Sequence, residues 1–180
     1  MGYEGSWSGM RRYLEQDMLA EPLRGRVRYN CTRYVNMEYY HIFEIFVDGQ
    51  LVKQFSLETV NSWFIRQGIV TKPEPMSFQD YWRDYLEATD RYPMAQREEY
   101  TDGEFADALE QYRRQDIQTS LSSDNPIVRM FAVLDRRVGK RTLEKLKDET
   151  DRQPEWLQFF YRLRLGAETG QKQTKEDCAE

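Results

Sequence analysis

The densest group of positively charged side chains lies in residues 126–147, where seven basic residues accompany two acidic ones, Asp135 and Glu144. Four of the basic residues fall within six positions around Gly139. Two carboxylates cannot neutralise all of these cations, and guanidinium and ammonium groups bind carboxylates and phosphates. The sequence therefore predicts a binding surface here, with another protein as the favoured partner. The predicted binding residues are Arg129, Arg136, Arg137, Lys140 and Arg141.

The same segment leaves other interpretations open, because a cluster of cations also fits nucleic-acid phosphates. The helix break at Gly139 resembles the turn of a helix-turn-helix, but the run from Thr142 to Lys147 is short for a recognition helix. If the segment binds no partner, its cations are either solvated or paired with carboxylates of the acidic stretch 74–116. Nucleic-acid binding through 126–147 is therefore the alternative function, and a steep dependence of affinity on salt would distinguish it.

Few residues suggest catalysis or metal binding. The chain has one histidine, which excludes every zinc motif that needs two. His41 is expected on the same face of its strand as Phe43, and Cys31 on the same face as Tyr29. His41 and Cys31 are therefore predicted to be structural residues. Carboxylates spaced along two predicted helices are predicted to be solvated; they are Asp80, Asp84, Glu87, Glu104, Asp107 and Glu110. The sequence predicts no catalytic residue, metal ligand or cofactor, and an enzyme with an unrecognised site is the third interpretation.

The fold that positions the basic segment is predicted to be α+β. An N-terminal helix begins near Ser8, and alternating polar and apolar residues then indicate a strand. Residues 40–47 are apolar on nearly both faces, and Asp48-Gly49 is typical of a tight hairpin turn into a third strand. The patterns predict a three-stranded antiparallel meander, covered by a helix that Ser56 caps.

The rest of the chain is predicted to be mainly helical, with a break at Gly139. The start signals of five helices are Ser77 with Asp80, Thr101 with Glu104, Asn125 with Pro126, Thr142 and Pro154. Because 71–75 is rich in proline and unfit for a helix, the expected organisation is a mixed half, 1–72, and a helical half, 76–169, packed on it as one domain. Residues 170–180 are polar and are predicted to form a disordered tail.

Helical and strand periodicity also predict a core. Phe43 and Ile45 on the central strand and Trp63 on the covering helix are expected to be nearly buried. In the last helix the apolar stripe is Trp156, Leu157, Phe160 and Leu163.

Composition limits the class of protein. The chain has 180 residues, a net charge of −5 and two cysteines. No run approaches the roughly 20 apolar residues of a membrane helix, and the first residues lack the basic and apolar segments of a signal peptide. The expected location is therefore the cytoplasm, without membrane contact.

Three stretches carry a family resemblance. They are the run from Ser6 to Glu15, the run from Asn125 through Leu143, and Pro154-Glu155-Trp156-Leu157. Together they resemble a family of short uncharacterised bacterial proteins. The resemblance implies a bacterial cytoplasmic protein and assigns no functional residue.

Overall fold

The computed structural model describes residues 6–35, 39–70 and 78–169, and it confirms the predicted α+β class. An N-terminal helix precedes a three-stranded antiparallel sheet, and helices dominate the rest of the described chain. The first helix is α1, Trp7–Arg12, which continues as a π-helical turn over Tyr13–Met18. The strands are β1, Val27–Val35, β2, Tyr39–Val47, and β3, Gln50–Phe55. The later helices are α2, Leu57–Arg66, α3, Phe78–Arg91, α4, Asp102–Arg114, α5, Ile117–Leu121, α6, Pro126–Leu134, α7, Lys140–Lys147, and α8, Glu155–Thr169.

The sheet has the predicted meander order, β1-β2-β3. Asp48 and Gly49 have φ angles of 50° and 85°, as the two central residues of a type I′ hairpin require. Cys31 pairs with Phe43 across β1 and β2, which places both on the core face. A bulge at Ile45/Phe46 offsets the pairing of β2 with β3. As a result, a lysine of β3, opposite Ile45, also faces the core.

The main core joins the N-terminal helix, the sheet and the helices from α4 onward. Phe105 of α4 lies at its centre, with ring centroids 4.6 Å from Phe43, 4.8 Å from Phe55 and 5.4 Å from Phe131. In α6 every side chain except Arg129 is buried, so this helix is surrounded by protein along its length. The turn that follows α6 in sequence is therefore attached to a helix of the core.

A second, smaller apolar cluster joins α2 to α3. Trp63 of α2 lies in it and is 6% exposed, while Phe43 and Ile45 in the main core are 6% and 0% exposed. The predicted burial of these three residues is confirmed. The predicted linker at 71–75 and the tail 170–180 lie outside the described residues, and the division into 1–72 and 76–169 stays a prediction.

Three local features differ from the sequence predictions. Helix α7 begins at Lys140 rather than Thr142, because Gly139 has the extended conformation of an N-cap. Helix α5 was not predicted; Asp116 caps it by accepting from two backbone N–H groups. Trp156 is only partly buried, although its indole N–H donates to the hydroxyl of the buried Tyr100 (3.3 Å).

Candidate functional site

The turn between α6 and α7 carries most of the predicted binding residues. Asp135 ends α6 in an extended conformation, and Gly139 begins α7. Asp135 and Val138 are buried, at 1% and 3% exposed, whereas Arg136 and Arg137 between them are exposed. The turn is therefore fixed from the inside while it presents cations to solvent.

Backbone hydrogen bonds tie this turn to the N-terminal segment. Leu19 and Asp135 form an antiparallel bridge. The Arg136 N–H donates to the Met18 carbonyl, and the Ala20 N–H donates to the Leu134 carbonyl, each at 2.9 Å. Because Leu19 and Leu134 are completely buried, the bridge lies against the core and gives the turn one conformation.

Asp135 also organises the side chains of the turn. It accepts from the Arg137 backbone N–H (2.6 Å), from Nη2 (2.7 Å) and Nε (2.9 Å) of the same residue, and from the Tyr112 hydroxyl. The hydrogen bond with Asp135 raises the pKa of Arg137 above its usual value. Burial, followed by the hydrogen bond to Asp135, raises the pKa of Tyr112. Arg137 therefore has an internal counter-ion, and its charge is compensated.

Arg129, also predicted to bind a partner, is half-buried and points elsewhere. Its Nη1 donates to the Ser123 carbonyl and its Nε donates to Gln153 Oε1 (3.0 Å). These contacts join the loop before α6 to the segment before α8. The structure thus places Arg129 towards the opposite end of α6 from the turn, where it links parts of the fold.

Arg136, Lys140 and Arg141, which we call the basic surface, remain exposed. No carboxylate of residues 6–35, 39–70 or 78–169 forms an ion pair with any of the three. Glu144, the nearest acidic residue of α7 in sequence, pairs with Lys147 at 2.8 Å instead. Among the carboxylates of the described ranges, Asp135 pairs with Arg137 and none pairs with the basic surface, and the binding role of these residues stays a prediction.

The start of α7 strengthens the positive charge of the basic surface. Its first turn contains no acidic residue, and Gly139 offers no side-chain cap. A helix amino terminus carries a partial positive charge, so Lys140 and Arg141 stand where cations are unfavourable unless an anion is nearby. The arrangement therefore favours a bound oxyanion, which is either a carboxylate or a phosphate, over the same surface without a ligand.

Carboxylates border the basic surface along the chain. Glu144 lies one turn further along α7, and Asp148 and Glu149 follow directly after the helix; all three are exposed. Helix α7 has eight residues, which makes it about 12 Å long. The positive surface is therefore compact.

A buried lysine was not singled out by the sequence. Lys53 of β3 is 7% exposed; its Nζ donates to the Glu98 carbonyl (2.6 Å) and to Glu99 Oε2 (2.7 Å). Its ammonium lies 5.3 Å from the ring centroid of Trp156 and 5.7 Å from that of Tyr100. Burial lowers the pKa of Lys53, and Glu99 opposes this effect. The sequence signal for the burial of Lys53 was its position two residues before Phe55, because residues two apart on a strand lie on the same face.

We expect the double variant Lys53→Met/Glu99→Gln to be at least as stable as the wild type at neutral pH. Removing both partners together ends the cost of burying the Lys53 charge without leaving Glu99 unpaired, and such replacements of a buried pair are neutral or stabilising by about 1–4 kcal/mol. Because the folded-state pKa of Lys53 lies below the unfolded value, raising the pH towards 10.5 releases the proton first from the folded wild type and stabilises it.

The advantage of the variant should therefore shrink as pH rises through that window, as urea titrations at several pH values would show. A variant that loses 2 kcal/mol or more at neutral pH would contradict this account of Lys53.

The structure also brings His41 close to Asp102, a contact that the sequence did not predict. The His41 backbone N–H donates to Asp102 Oδ2 (3.0 Å), and His41 Nδ1 lies 3.7 Å from the same oxygen. Cys31 packs against the same core, where burial and the charge of Asp102 raise its pKa to about 11. The thiol is thus held in its protonated, weakly nucleophilic form.

An open depression runs along the exposed side of α4, and part of its lining is neutralised by the ion pair between Glu110 and Arg114. Its lining residues are Asp107, Glu110, Gln111, Arg114 and Gln115.

None of the helices in the described ranges is both long enough and apolar enough to cross a bilayer.

Comparison with known proteins gives one result. The family model described as the SF0329 protein family matches residues 6–165, which include the N-terminal helix, the sheet and the basic surface. No curated protein and no solved structure matches the chain.

Proposed function

Because the chain belongs to the SF0329 protein family, a family of uncharacterised proteins as its sequence resemblance predicted, we propose a function from the geometry of the basic surface. The protein is a non-enzymatic bacterial cytoplasmic protein that binds an acidic surface of another protein. The observation that carries the proposal is the grouping of Arg136, Lys140 and Arg141 at an uncapped helix start, without a carboxylate partner among the described residues.

The compactness of the basic surface favours a protein over a nucleic acid. Duplex DNA carries about one negative charge per 1.7 Å, so a bound duplex would extend its phosphates beyond the three cations. There it would meet residues 144–149, where three carboxylates outnumber two lysines, so the positive charge does not continue along the chain. The whole chain also has a net charge of −5. A protein surface with a few localised carboxylates does not need the positive charge to extend further.

The rigidity of the turn supports the same proposal. The bridge between Leu19 and Asp135 and the hydrogen bonds of the Asp135 carboxylate hold the backbone in place before any partner arrives. A preformed surface loses less conformational entropy on binding than a flexible loop does. Only the long side chains of the basic surface then need to be ordered.

The test changes Arg136, Lys140 and Arg141 to Gln together and measures binding to a fluorescent poly-glutamate peptide. We expect an affinity at least about tenfold lower, equivalent to about 1.4 kcal/mol, because the surface loses all three of its cations. The fold should survive, since exposed charges contribute about 0–1 kcal/mol each. The measurements are fluorescence anisotropy for binding and urea denaturation for stability.

The matched control changes three other exposed arginines, Arg28, Arg66 and Arg152, to Gln, which alters the net charge equally. It should bind as the wild type does. Equal losses in both triple variants would show that only net charge matters and would refute a specific surface. Tighter binding of a DNA duplex than of poly-glutamate, with a steep salt dependence, would replace the proposal by the nucleic-acid alternative.

A further inference from the structure

Arg164 of α8 is a buried arginine whose position is not explained by packing alone. Its side chain is 3% exposed, and Leu163 beside it is 1% exposed. Burying a guanidinium is costly unless its N–H groups find acceptors. Here Nη2 donates to the Val138 carbonyl at 3.2 Å, Nη1 pairs with the Glu168 carboxylate, and Nε has no hydrogen-bond partner in the part of the chain that the structure describes.

The contact with Val138 places this charge directly behind the basic surface. Val138 is the last residue before Gly139, the N-cap of α7, and its own side chain is buried. The backbone N–H groups of Thr142 and Leu143 bond in turn to the Gly139 carbonyl, at 3.0 and 3.1 Å. A donor that fixes the Val138 carbonyl thus fixes the peptide from which the first turn of α7 departs.

We propose that Arg164 is a positioning residue of the basic surface: it holds the Val138 carbonyl and places a buried positive charge behind Lys140 and Arg141, a charge that Glu168 partly cancels. This inference rests on the proposed function and deepens it. The Glu168 side chain is 28% exposed, so the cancelling charge sits at the edge of the protein while the guanidinium stays inside. The Arg164–Glu168 pair therefore sets how strongly the surface attracts an acidic partner.

The proposal makes an unusual prediction for Glu168→Gln. The amide oxygen can still accept from Arg164, but the negative charge is gone, so the net positive potential at the start of α7 increases. The Glu168 carboxylate is separated from the Val138 carbonyl by one guanidinium, and charges this close to the start of α7 are incompletely screened at physiological salt, so poly-glutamate should bind about two- to fourfold tighter. A purely structural role for the pair would give lower stability and no gain in affinity.

The experiment compares Glu168→Gln with Glu155→Gln, which removes an equal charge from the exposed start of the same helix, about 20 Å away. The affinity for poly-glutamate is measured for both by fluorescence anisotropy at low and at physiological salt. A gain confined to Glu168→Gln, larger at low salt, supports the proposal. Unchanged or weaker binding by Glu168→Gln, or an equal gain in both variants, overturns it.

A second variant tests the positioning role without any ligand. Arg164→Lys keeps the charge but loses the forked donor, so hydrogen exchange of the Thr142 and Leu143 amides, which bond to the Gly139 carbonyl, should accelerate at least about threefold, while that of α4 amides stays unchanged. Equal exchange at the turn in both proteins would refute positioning by Arg164. If the wild type fails to bind poly-glutamate, the proposed function fails by itself, whereas the exchange result still decides whether Arg164 holds the turn.

Discussion

Phe105→Ala is expected to lower the free energy of unfolding by about 3–5 kcal/mol, the usual cost of deleting a buried ring. The Phe105 side chain is completely buried and contacts the rings of Phe43, Phe55 and Phe131, which come from two strands and α6. The rings around it belong to separate elements, so the cavity can collapse only if those elements move. Urea denaturation followed by tryptophan fluorescence measures the effect.

Two comparisons make this prediction specific. Phe105→Leu retains most of the apolar volume and should cost clearly less than the alanine variant. Phe159→Ala, at a partly buried position of α8, should also cost less. A loss below 1 kcal/mol for Phe105→Ala would mean that Phe105 is not the centre of the core.

Asp135→Ala is expected to cost about 3 kcal/mol. The buried carboxylate accepts from the Tyr112 hydroxyl and from three N–H groups of Arg137, and removal of one partner of a buried pair costs about 3–5 kcal/mol. The expected cost of Asp135→Ala lies at the lower end of this range because the Arg137 side chain is 48% exposed and can be solvated. The Tyr112 hydroxyl, in contrast, is left inside the protein without its acceptor.

A double-mutant cycle with Tyr112→Phe isolates that contact. Tyr112→Phe alone should cost about 1 kcal/mol, since Asp135 keeps its bonds to Arg137. In the double variant the hydroxyl is absent, so its total cost should be smaller than the sum of the single costs. Strict additivity, measured by urea denaturation, would show that the hydroxyl and the carboxylate do not interact.

Local signals predicted much of the fold because their physical causes are local. The Asp48-Gly49 turn and the capping box of Thr101 and Glu104 each satisfy backbone groups within a few residues, and both are confirmed. Helix α5 and the π-helical turn were not predicted. Capping of α5 uses a lone aspartate, and the π-helical turn depends on how Leu14 and Met18 pack in the core.

The candidate site was predictable only in its charge. The sequence showed too many cations for the nearby carboxylates, which holds for Arg136, Lys140 and Arg141. It did not show that Arg137 would be paired with Asp135 beneath a tyrosine 23 residues earlier, nor that Arg129 would bond to Gln153. The Asp135–Arg137 pair is local, and charge counting alone does not say which cation takes that carboxylate. The contacts of Tyr112 and Gln153 depend on how helices far apart in sequence are packed, and residue spacing within one helix carries no information about that.

The bridge between Leu19 and Asp135 has a consequence for the order of folding. It joins positions more than a hundred residues apart, so closing it costs chain entropy that only a docked core repays. During synthesis Leu19 emerges first, and its bridge partner Asp135 follows only after α6 has been made. The turn that presents the basic surface is therefore fixed only in a chain whose two distant segments have met.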